Sequence, residues 1–302
     1  MRNAFVSALL ELAASEPRIF LVTGDLGYNV LEVFAERFPE RFLNAGVAEQ
    51  NMTGVATGLA LSGRIVFTYS IANFPTLRCL EQIRNDVCIH NANVKIVAVG
   101  GGLAYGPLGP THHGTEDLAI LRTLPNMTVV APGDPVETDL ATRAIVQHAG
   151  PCYLRLGKAG EPVVHERPPA FELGRAIEVR SGADVTLIST GGTLAMTVAA
   201  ADTLASRGVA ARVLSMPTLA PLDADAIARA ATETGRVVTV EEHGIGGLGS
   251  AVAEVLVGLE HPIVFRPLRL ARRVLKTVGT QDHLRAKQGL SPDGIVQVVE
   301  AL

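Results

Sequence analysis

Short apolar, β-branched runs alternate with longer helix-periodic stretches along the whole chain of 302 residues. Such runs are typical of parallel strands buried on both faces, and the longer stretches are typical of the helices that connect them. The alternation therefore predicts an α/β protein. In the first half, the predicted strands are residues 19–23, 65–69, 94–99, 127–131 and 152–156, and the predicted helices are residues 3–14, 48–61, 77–90, 115–124 and 135–149.

Residues 158–173 interrupt the alternation with three prolines, several charges and no sustained period. This composition is typical of a solvated linker, so we expect two domains, residues 1–157 and a smaller α/β domain of residues 174–302. In the second domain, the predicted strands are residues 185–189, 211–216, 237–241 and 263–268, and the predicted helices are residues 194–206, 223–232, 248–259 and 292–301.

Charge and composition exclude several classes of protein. With 30 acidic and 26 basic residues, the chain lacks the broad positive field expected for nucleic acid or anionic lipid partners. Three cysteines, Cys79, Cys88 and Cys152, are too few and too scattered for a disulfide framework or a four-ligand zinc site. No apolar window is long enough to span a membrane, and no secretory signal is evident, so we expect a cytoplasmic protein without a membrane partner.

One acidic residue stands in a mostly apolar helix. Glu49 falls in the first turn of the predicted helix 48–61, where a carboxylate favours the helix dipole. The same position also suits a buried carboxylate with a raised pKa that shares a proton with a bound heterocycle. The helix pattern alone leaves both interpretations open.

Aromatic and histidine side chains follow two predicted strands. Tyr69 and Phe74 lie at the carboxyl end of strand 65–69, as core residues or as a platform for a flat ring. His112 and His113 end a loop rich in Gly and Pro; without a helical partner or a nearby Cys, they favour hydrogen bonding or proton transfer over metal binding. Asp25 ends the first strand, where turn capping explains it as well as function does.

Several segments match a known family in order and spacing. The chain resembles the C-terminal half of transketolase, as found in the small subunit of two-chain transketolases and in 1-deoxyxylulose-5-phosphate synthase. The segments that carry the resemblance are Gly-Val-Ala-Glu-Gln-Asn-Met at 46–52, Glu-Gln-Ile-Arg-Asn at 81–85, Pro-Thr-His-His at 110–113, Val-Glu-Glu-His-Gly at 240–244 and Gly-Thr-Gln at 279–281.

The resemblance implies a pyrimidine-binding domain in residues 1–157 and a transketolase C-terminal domain in residues 174–302. It implies thiamine diphosphate as the coenzyme, held between this chain and a separate N-terminal subunit. That partner would carry the diphosphate site and its Mg²⁺ or Ca²⁺, because the Gly-Asp-Gly motif and its following Asn are absent here. Two copies of each chain would form an α2β2 assembly.

The resemblance also assigns roles to cofactor-site residues. Glu49 matches the glutamate that hydrogen-bonds the aminopyrimidine and promotes the tautomer that deprotonates the thiazolium carbon. Phe74 matches the aromatic residue that stacks on the pyrimidine. Asp25 and Leu26 match a pair beside the thiazolium, and Tyr69 would line the same pocket.

On the substrate side, the resemblance is incomplete. His112 matches a histidine that contacts the reacting sugar oxygens, with His113 beside it, and Arg2 and Arg155 match two arginines that bind an acceptor phosphate. Leu108 stands in place of a hydroxyl-reading Asp, and Gly100 stands in place of a phosphate-contacting His, which leaves the acceptor's identity open.

The resemblance implies transfer of a two-carbon ketol unit from a ketose or ketose phosphate to an aldehyde. A second possibility is the beta subunit of a 2-oxo acid dehydrogenase, or a deoxyxylulose-type synthase, acting on a pyruvate-like donor. A third is a non-catalytic, regulatory transketolase-like protein.

Overall fold

The structure, a computed structural model, describes residues 1–302 and contains two sheets. The strands of the first half are β1 (Ile19–Thr23), β2 (Phe42–Asn44), β3 (Ile65–Ile71), β4 (Val94–Val99), β5 (Thr128–Val130) and β6 (Cys152–Leu156). These six strands are parallel and lie in the order β5-β6-β4-β3-β1-β2. Strands β3, β4 and β6 are buried throughout, which explains their nearly continuous apolar sequences.

Helices cover both faces of this sheet. Phe5 and Leu9 of the first helix pack into one core cluster with Phe67 and Tyr69, and Met52 and other residues of the third helix pack into another. The helices of this half are α1 (Arg2–Ser15), α2 (Glu32–Arg37), α3 (Glu49–Leu61), α4 (Leu80–Gln82), α5 (Asp117–Leu121) and α6 (Pro135–Gln147). Asp134 caps the start of α6, because its side chain accepts a hydrogen bond from the Glu137 amide.

The second half forms a five-stranded sheet. Its strands are β7 (Ile177–Arg180), β8 (Val185–Ser189), β9 (Ala211–Ser215), β11 (Arg236–Val240) and β12 (Val264–Leu268). They lie in the order β12-β11-β8-β9-β7, with only β7 antiparallel to its neighbour. Its helices are α7 (Leu194–Ser206), α8 (Ala224–Thr234), α9 (Leu248–Leu256), α10 (Gln281–Lys287) and α11 (Pro292–Glu300). The α/β class predicted from the sequence is confirmed.

One strand of the second half joins the first sheet. Strand β10 (Thr218–Ala220) pairs antiparallel with β5 and becomes the seventh strand of the first sheet. The Ala131 amide donates to the Pro217 carbonyl, and the Gly191 amide donates to the Ala131 carbonyl. The two sheets are therefore tied together through backbone hydrogen bonds.

The segment between β6 and β7 contains no helix or strand, but its middle is docked rather than fully solvated. The Asp134 carboxylate accepts hydrogen bonds from the amides of Val164 and His165. The His165 ring lies 2.8 Å from the carboxylate of Glu137, and both side chains are buried. The first turn of α6 therefore anchors this segment.

The predicted helix 77–90 differs most from the structure. It consists of a 3₁₀ turn at Leu77–Cys79, the short α4 and a π-helical stretch at Ile83–Cys88. At its start, the Thr76 hydroxyl donates to the Ala72 carbonyl and the Cys79 thiol donates to the Phe74 carbonyl. These side-chain bonds hold the preceding turn in a tight, irregular form. No helix in the structure has the length and apolar content needed to cross a bilayer.

The docked segment predicts a pH-dependent stability. The hydrogen bond with Glu137 raises the pKa of His165 above its ordinary value of 6.5. This contribution to stability is complete below about pH 6.5 and is lost as the pH rises through the folded-state pKa. We expect His165→Gln to lower the free energy of unfolding by roughly 1–2 kcal/mol at pH 5.5 and by less at pH 8.5.

Urea unfolding of both proteins at the two pH values measures this difference. His261→Gln is the matched control, since His261 is exposed and forms no hydrogen bond or ion pair within the chain. If His165→Gln lowers the free energy of unfolding by the same amount at pH 5.5 and at pH 8.5, the prediction is contradicted.

Candidate functional site

A buried carboxylate lies at the carboxyl edge of the first sheet. Glu49 begins α3 and is only 1% exposed, and Arg78 donates a 2.7 Å hydrogen bond to its Oε2. The backbone of Gly24, just after β1, packs so closely that a Cβ there would lie 3.3 Å from Cγ of Glu49. The Glu49 carboxylate thus has a single charged partner, whose own side chain is 47% exposed.

An aromatic ring stands beside this ion pair. The guanidinium of Arg78 lies 4.9 Å from the centroid of the Phe74 ring, within cation–π distance. The Phe74 ring also meets the ring of His112 edge-on, at 5.4 Å between centroids. The structure therefore brings together Glu49, Phe74 and His112, with Arg78 between the first two.

The loop after β1 approaches the same edge. Asp25 adopts a left-handed backbone (φ 57°), and its Oδ1 accepts hydrogen bonds from Asn44 and Tyr28. Asn44 Oδ1 in turn accepts from the amides of Asp25 and Gly46, so the loops after β1 and β2 are braced against each other. Leu26 is half-buried and packs against the core cluster that contains Tyr69.

Tyr69 and Arg2 lie behind this edge. The Tyr69 ring is buried in the core and stacks on Phe5, and burial raises the pKa of its hydroxyl above the usual value. Arg2 begins α1, and its Nε is buried without a hydrogen-bond partner. Tyr69 therefore packs mainly as a core residue.

The glycine-rich loop after β4 is shaped by Tyr105. A Cβ at Gly100 would collide with the Tyr105 ring, so no histidine fits at position 100 while the tyrosine occupies that space. The Lys158 ammonium lies 5.0 Å from the centroid of the Tyr105 ring, and the His112 ring lies 6.5 Å from it. Lys158 forms no ion pair within the chain.

Arg155 is buried and hydrogen-bonded within the chain through Nε and Nη2. Its Nε donates to Asp117 at 2.8 Å, and its Nη2 donates to the carbonyls of Gly114 and Glu242. Asp117 also accepts a 2.5 Å hydrogen bond from the Tyr153 hydroxyl. The positive charge of Arg155 is therefore paired within the chain, and the phosphate contact that the resemblance implies stays a prediction.

This buried polar network continues into the second domain. Burial lowers the pKa of His243, which lies 3.6 Å from Asp117, to about 4. Burial raises the pKa of Glu241 to about 7, although it accepts hydrogen bonds from the Leu248 and Gly249 amides. No group of three or more His, Cys, Asp or Glu side chains is arranged to hold a metal ion.

A second carboxylate fixes the loop that carries the histidines. Glu242 accepts hydrogen bonds from the amide of Leu103, from Gln281 and from Arg285, the last at 2.6 Å. His113 is 5% exposed, and burial lowers the pKa of its ring. The C-terminal domain therefore sets the position of the loop from Gly100 to His113.

Comparison with known families matches both halves of the chain. The transketolase pyrimidine-binding domain model matches residues 1–160, and the transketolase C-terminal domain model matches residues 174–295. The chain belongs to the transketolase family.

Similar transketolase-family proteins extend this result. A subunit of the apulose-4-phosphate transketolase of Phocaeicola vulgatus is 41% identical, over 97% of this chain and 94% of its own. A 6-deoxy-6-sulfo-D-fructose transketolase subunit of a Clostridium species is 38% identical, over 98% and 92% of the two chains. A solved structure described as a split-gene transketolase, inactive beta4 tetramer, is 40% identical with a TM-score of 0.90, over 99% and 96% of the chains.

Several residues of this transketolase-family site were missed at the sequence level. The missed residues are Arg78, Tyr105 and Lys158. Arg78 pairs with Glu49, which is distant in sequence, and the contact between Lys158 and Tyr105 depends on the conformation of the loop after β4. Of these three residues, only Arg78 could be anticipated from the local sequence. It follows Phe74 by four residues, a spacing of about one helical turn at which a cation can lie over an aromatic ring. Nothing in the local sequence indicates that Asp117 pairs with Arg155.

The buried network predicts unequal effects for two aspartates. We expect Asp117→Asn to destabilise the protein by roughly 3–5 kcal/mol, because it leaves the Arg155 charge buried without a partner. Asp139→Asn removes an exposed i,i+4 ion pair with Arg143, and we expect it to cost about 1 kcal/mol or less. Denaturant unfolding of the two variants measures both values, and equal losses would show that the Asp117–Arg155 pair is not the stabilising element.

Proposed function

We propose that this chain is the C-terminal subunit of a split transketolase that depends on thiamine diphosphate. The reaction would move a two-carbon ketol unit from a ketose or ketose phosphate to an aldehyde. The observation that carries the proposal is the arrangement of Glu49, Arg78 and Phe74. An aminopyrimidine bound there needs a hydrogen bond to a buried carboxylate and a position over an aromatic face. The planar guanidinium of Arg78 already makes both contacts, the first with Glu49 and the second with Phe74.

These residues fit the pyrimidine of the coenzyme. Glu49 would hold a proton between its Oε2 and a ring nitrogen, in a setting where its burial excludes water. Phe74 would support the ring, while Asp25 and Leu26 border the space above the end of β1. Thiamine diphosphate supplies, when bound, the nucleophilic carbon for ketol transfer. For this to happen, the Arg78 side chain has to leave Glu49, and its partial exposure leaves it free to move.

A partner subunit completes the proposal. The similar proteins are named as transketolase subunits, and the similar solved structure is described as inactive in a tetramer of beta chains alone. These names support a separate chain that carries the diphosphate site and its Mg²⁺ or Ca²⁺. An assembly of two copies of each chain would form two active sites.

The residues around Tyr105 and His112 favour an anionic acceptor substrate. Arg2 and Lys158 form no ion pair within the chain; Lys158 lies over the Tyr105 ring, and the charge of Arg2 acts on the Tyr105 hydroxyl. In this arrangement, Tyr105 with Lys158 takes the place of the histidine that other transketolases carry at position 100. The two similar subunits are named for phosphate- and sulfonate-bearing sugars, which agrees with an anionic substrate. His112 would contact the oxygens of the reacting sugar.

The second candidate is a synthase or 2-oxo acid dehydrogenase subunit that uses a pyruvate-like donor. Leu108 is 55% exposed and offers no hydroxyl-reading group, which favours a donor without the corresponding hydroxyl. In the reconstituted enzyme, turnover with a ketose phosphate but not with pyruvate supports ketol transfer, and the reverse result supports this alternative. A regulatory, non-catalytic protein predicts no thiamine diphosphate binding by the mixed subunits.

The role of Glu49 predicts the outcome of a conservative substitution. In a complex reconstituted with its partner subunit, thiamine diphosphate and Mg²⁺, we expect Glu49→Gln to lower kcat by at least about 100-fold, because proton transfer by a positioned acid is lost. Circular dichroism and unfolding measurements check that the variant folds. Glu81→Gln, at an exposed position of α4 without an ion pair, is the matched control and should retain wild-type turnover. Near-normal turnover of Glu49→Gln would refute the assignment.

The position of Arg78 predicts a change in coenzyme affinity. In the reconstituted complex, we expect Arg78→Met to lower the Kd for thiamine diphosphate by about three- to tenfold, since a half-exposed ion pair no longer has to be broken. Fluorescence titration measures the Kd. Arg84→Met, in the neighbouring π-helical stretch, serves as the control and should leave the Kd unchanged. Weaker binding by Arg78→Met would mean that the arginine holds the coenzyme instead of competing with it.

A further inference from the structure

A cavity of about 500 Å³ lies between the two domains, and none of the residues given a role in the proposed reaction lines it. One wall is formed by Asn73, Leu77 and the segment that follows His112, and the other is formed by the segment Leu270–Leu275. Glu49, Phe74 and His112 do not line it. Its volume is in the range of cavities that enclose small metabolites.

The wall from the C-terminal domain is positively charged. Arg272 and Arg273 both line the cavity, and neither forms an ion pair or a side-chain hydrogen bond within the chain. The opposite wall carries one carboxylate, Glu116, which accepts a 2.8 Å hydrogen bond from the Thr115 hydroxyl. Two guanidinium groups against one carboxylate leave the cavity with a net positive charge.

The other wall carries buried polar atoms without partners. His113 is 5% exposed, and its buried Nε2 has no hydrogen-bond partner. The buried Oδ1 of Asn73 is also unpartnered, although Nδ2 of the same side chain donates to the Thr111 carbonyl. Since buried polar atoms are nearly always hydrogen-bonded, these two mark positions where a ligand or ordered water is expected.

The two walls offer different chemical groups, and together these groups indicate the class of ligand that the cavity can bind. A guanidinium fork matches the oxygens of a phosphate, sulfonate or carboxylate group. An amide oxygen accepts a hydrogen bond from a hydroxyl, and a neutral imidazole can donate or accept one. Burial lowers the pKa of His113, which keeps its ring neutral near pH 7.

We propose that this interdomain cavity binds a small hydroxylated molecule that carries an oxyanion, of which a phosphate monoester is the simplest case. Arg272 and Arg273 would bind the oxyanion, while Asn73 and His113 would bind its hydroxyl groups. A bound molecule would connect the C-terminal domain to the loop that carries His112. The proposal does not depend on thiamine diphosphate chemistry.

Titration calorimetry on the whole chain, without coenzyme or partner subunit and at 0.15 M salt, tests binding. The probes are glycerol 3-phosphate and glycerol, which differ only in the phosphate. We expect saturable binding of glycerol 3-phosphate at one site and no binding of glycerol. The double variant Arg272→Ala/Arg273→Ala should weaken binding at least about tenfold, and His113→Leu should weaken it several-fold with partial recovery in His113→Gln.

The control is Arg229→Ala/Arg236→Ala, which removes the same charge from two arginines that form no ion pair and lie outside the cavity. Arg236 lies at the opposite end of β11 from Gly244, which lines the cavity. We expect the control to bind glycerol 3-phosphate as the wild type does. Absence of saturable binding to the wild type, or equal affinity of the two double variants, would overturn the proposal.

The anion could belong to a substrate or to a separate effector, and the reconstituted enzyme distinguishes these sources. If it belongs to the substrate, Arg272→Ala/Arg273→Ala raises the KM for a phosphorylated aldehyde and leaves that for its unphosphorylated analogue unchanged. If it belongs to an effector, the KM values stay the same and added glycerol 3-phosphate changes turnover in the wild type only. Because binding is measured without coenzyme, failure of the proposed reaction leaves this result intact.

Discussion

The buried ion pair between Arg155 and Asp117 determines how the rest of the molecule is arranged. Arg155 belongs to the inner strand β6, and Asp117 begins α5 directly after the loop that carries His112 and His113. The same guanidinium binds the carbonyls of Gly114 and of Glu242, which belongs to the second domain. One side chain therefore joins the sheet, the loop and the C-terminal domain. Burial of charges is costly unless they are paired and hydrogen-bonded, and this arrangement of the three elements supplies the partners that both buried charges need.

Glycine is required where the loop meets this ion pair. A Cβ at Gly101 would collide with the Arg155 guanidinium, and a Cβ at Gly102 would lie 2.6 Å from the carboxyl carbon of Glu242. The loop backbone can therefore lie directly against two charged groups, and the Leu103 amide can donate to Glu242. The glycines at these two positions of the loop are therefore explained by close packing against charged groups.

Most of the fold could be predicted from the sequence because its central strands are buried on both faces. Strands β1, β4, β6 and β8 lie at the residues predicted for them. The strands β2, β7 and β10 were missed, since three or four residues carry no readable period and their pairing depends on distant partners. The break in the helix after Leu77 depends on the Thr76 and Cys79 hydrogen bonds, which no helical pattern reveals.

The candidate site was only partly predictable. Phe74 was placed at the end of a parallel strand by the sequence pattern, whereas Glu49 and His112 were assigned to the same site by the resemblance, and the structure brings the three together. Arg78 lies 29 residues from Glu49, and its pairing with that carboxylate emerges only when α3 packs beside the turn after β3. The pairing of Arg155 depends likewise on Asp117, which stands 38 residues earlier in the chain.

Strand β10 has a consequence for how the chain can be divided. Without it, β5 would present a row of unsatisfied backbone groups at the margin of the first sheet, an exposed template for pairing with other chains. A fragment cut in the segment before β7 would lose this protective cover, and it would also lose the residues of the second half, such as Met216 and Leu219, that complete the core cluster around Val129. Self-association of such a fragment would then reflect both the uncovered margin of the sheet and the exposed apolar face, although the cut falls where no helix or strand is broken.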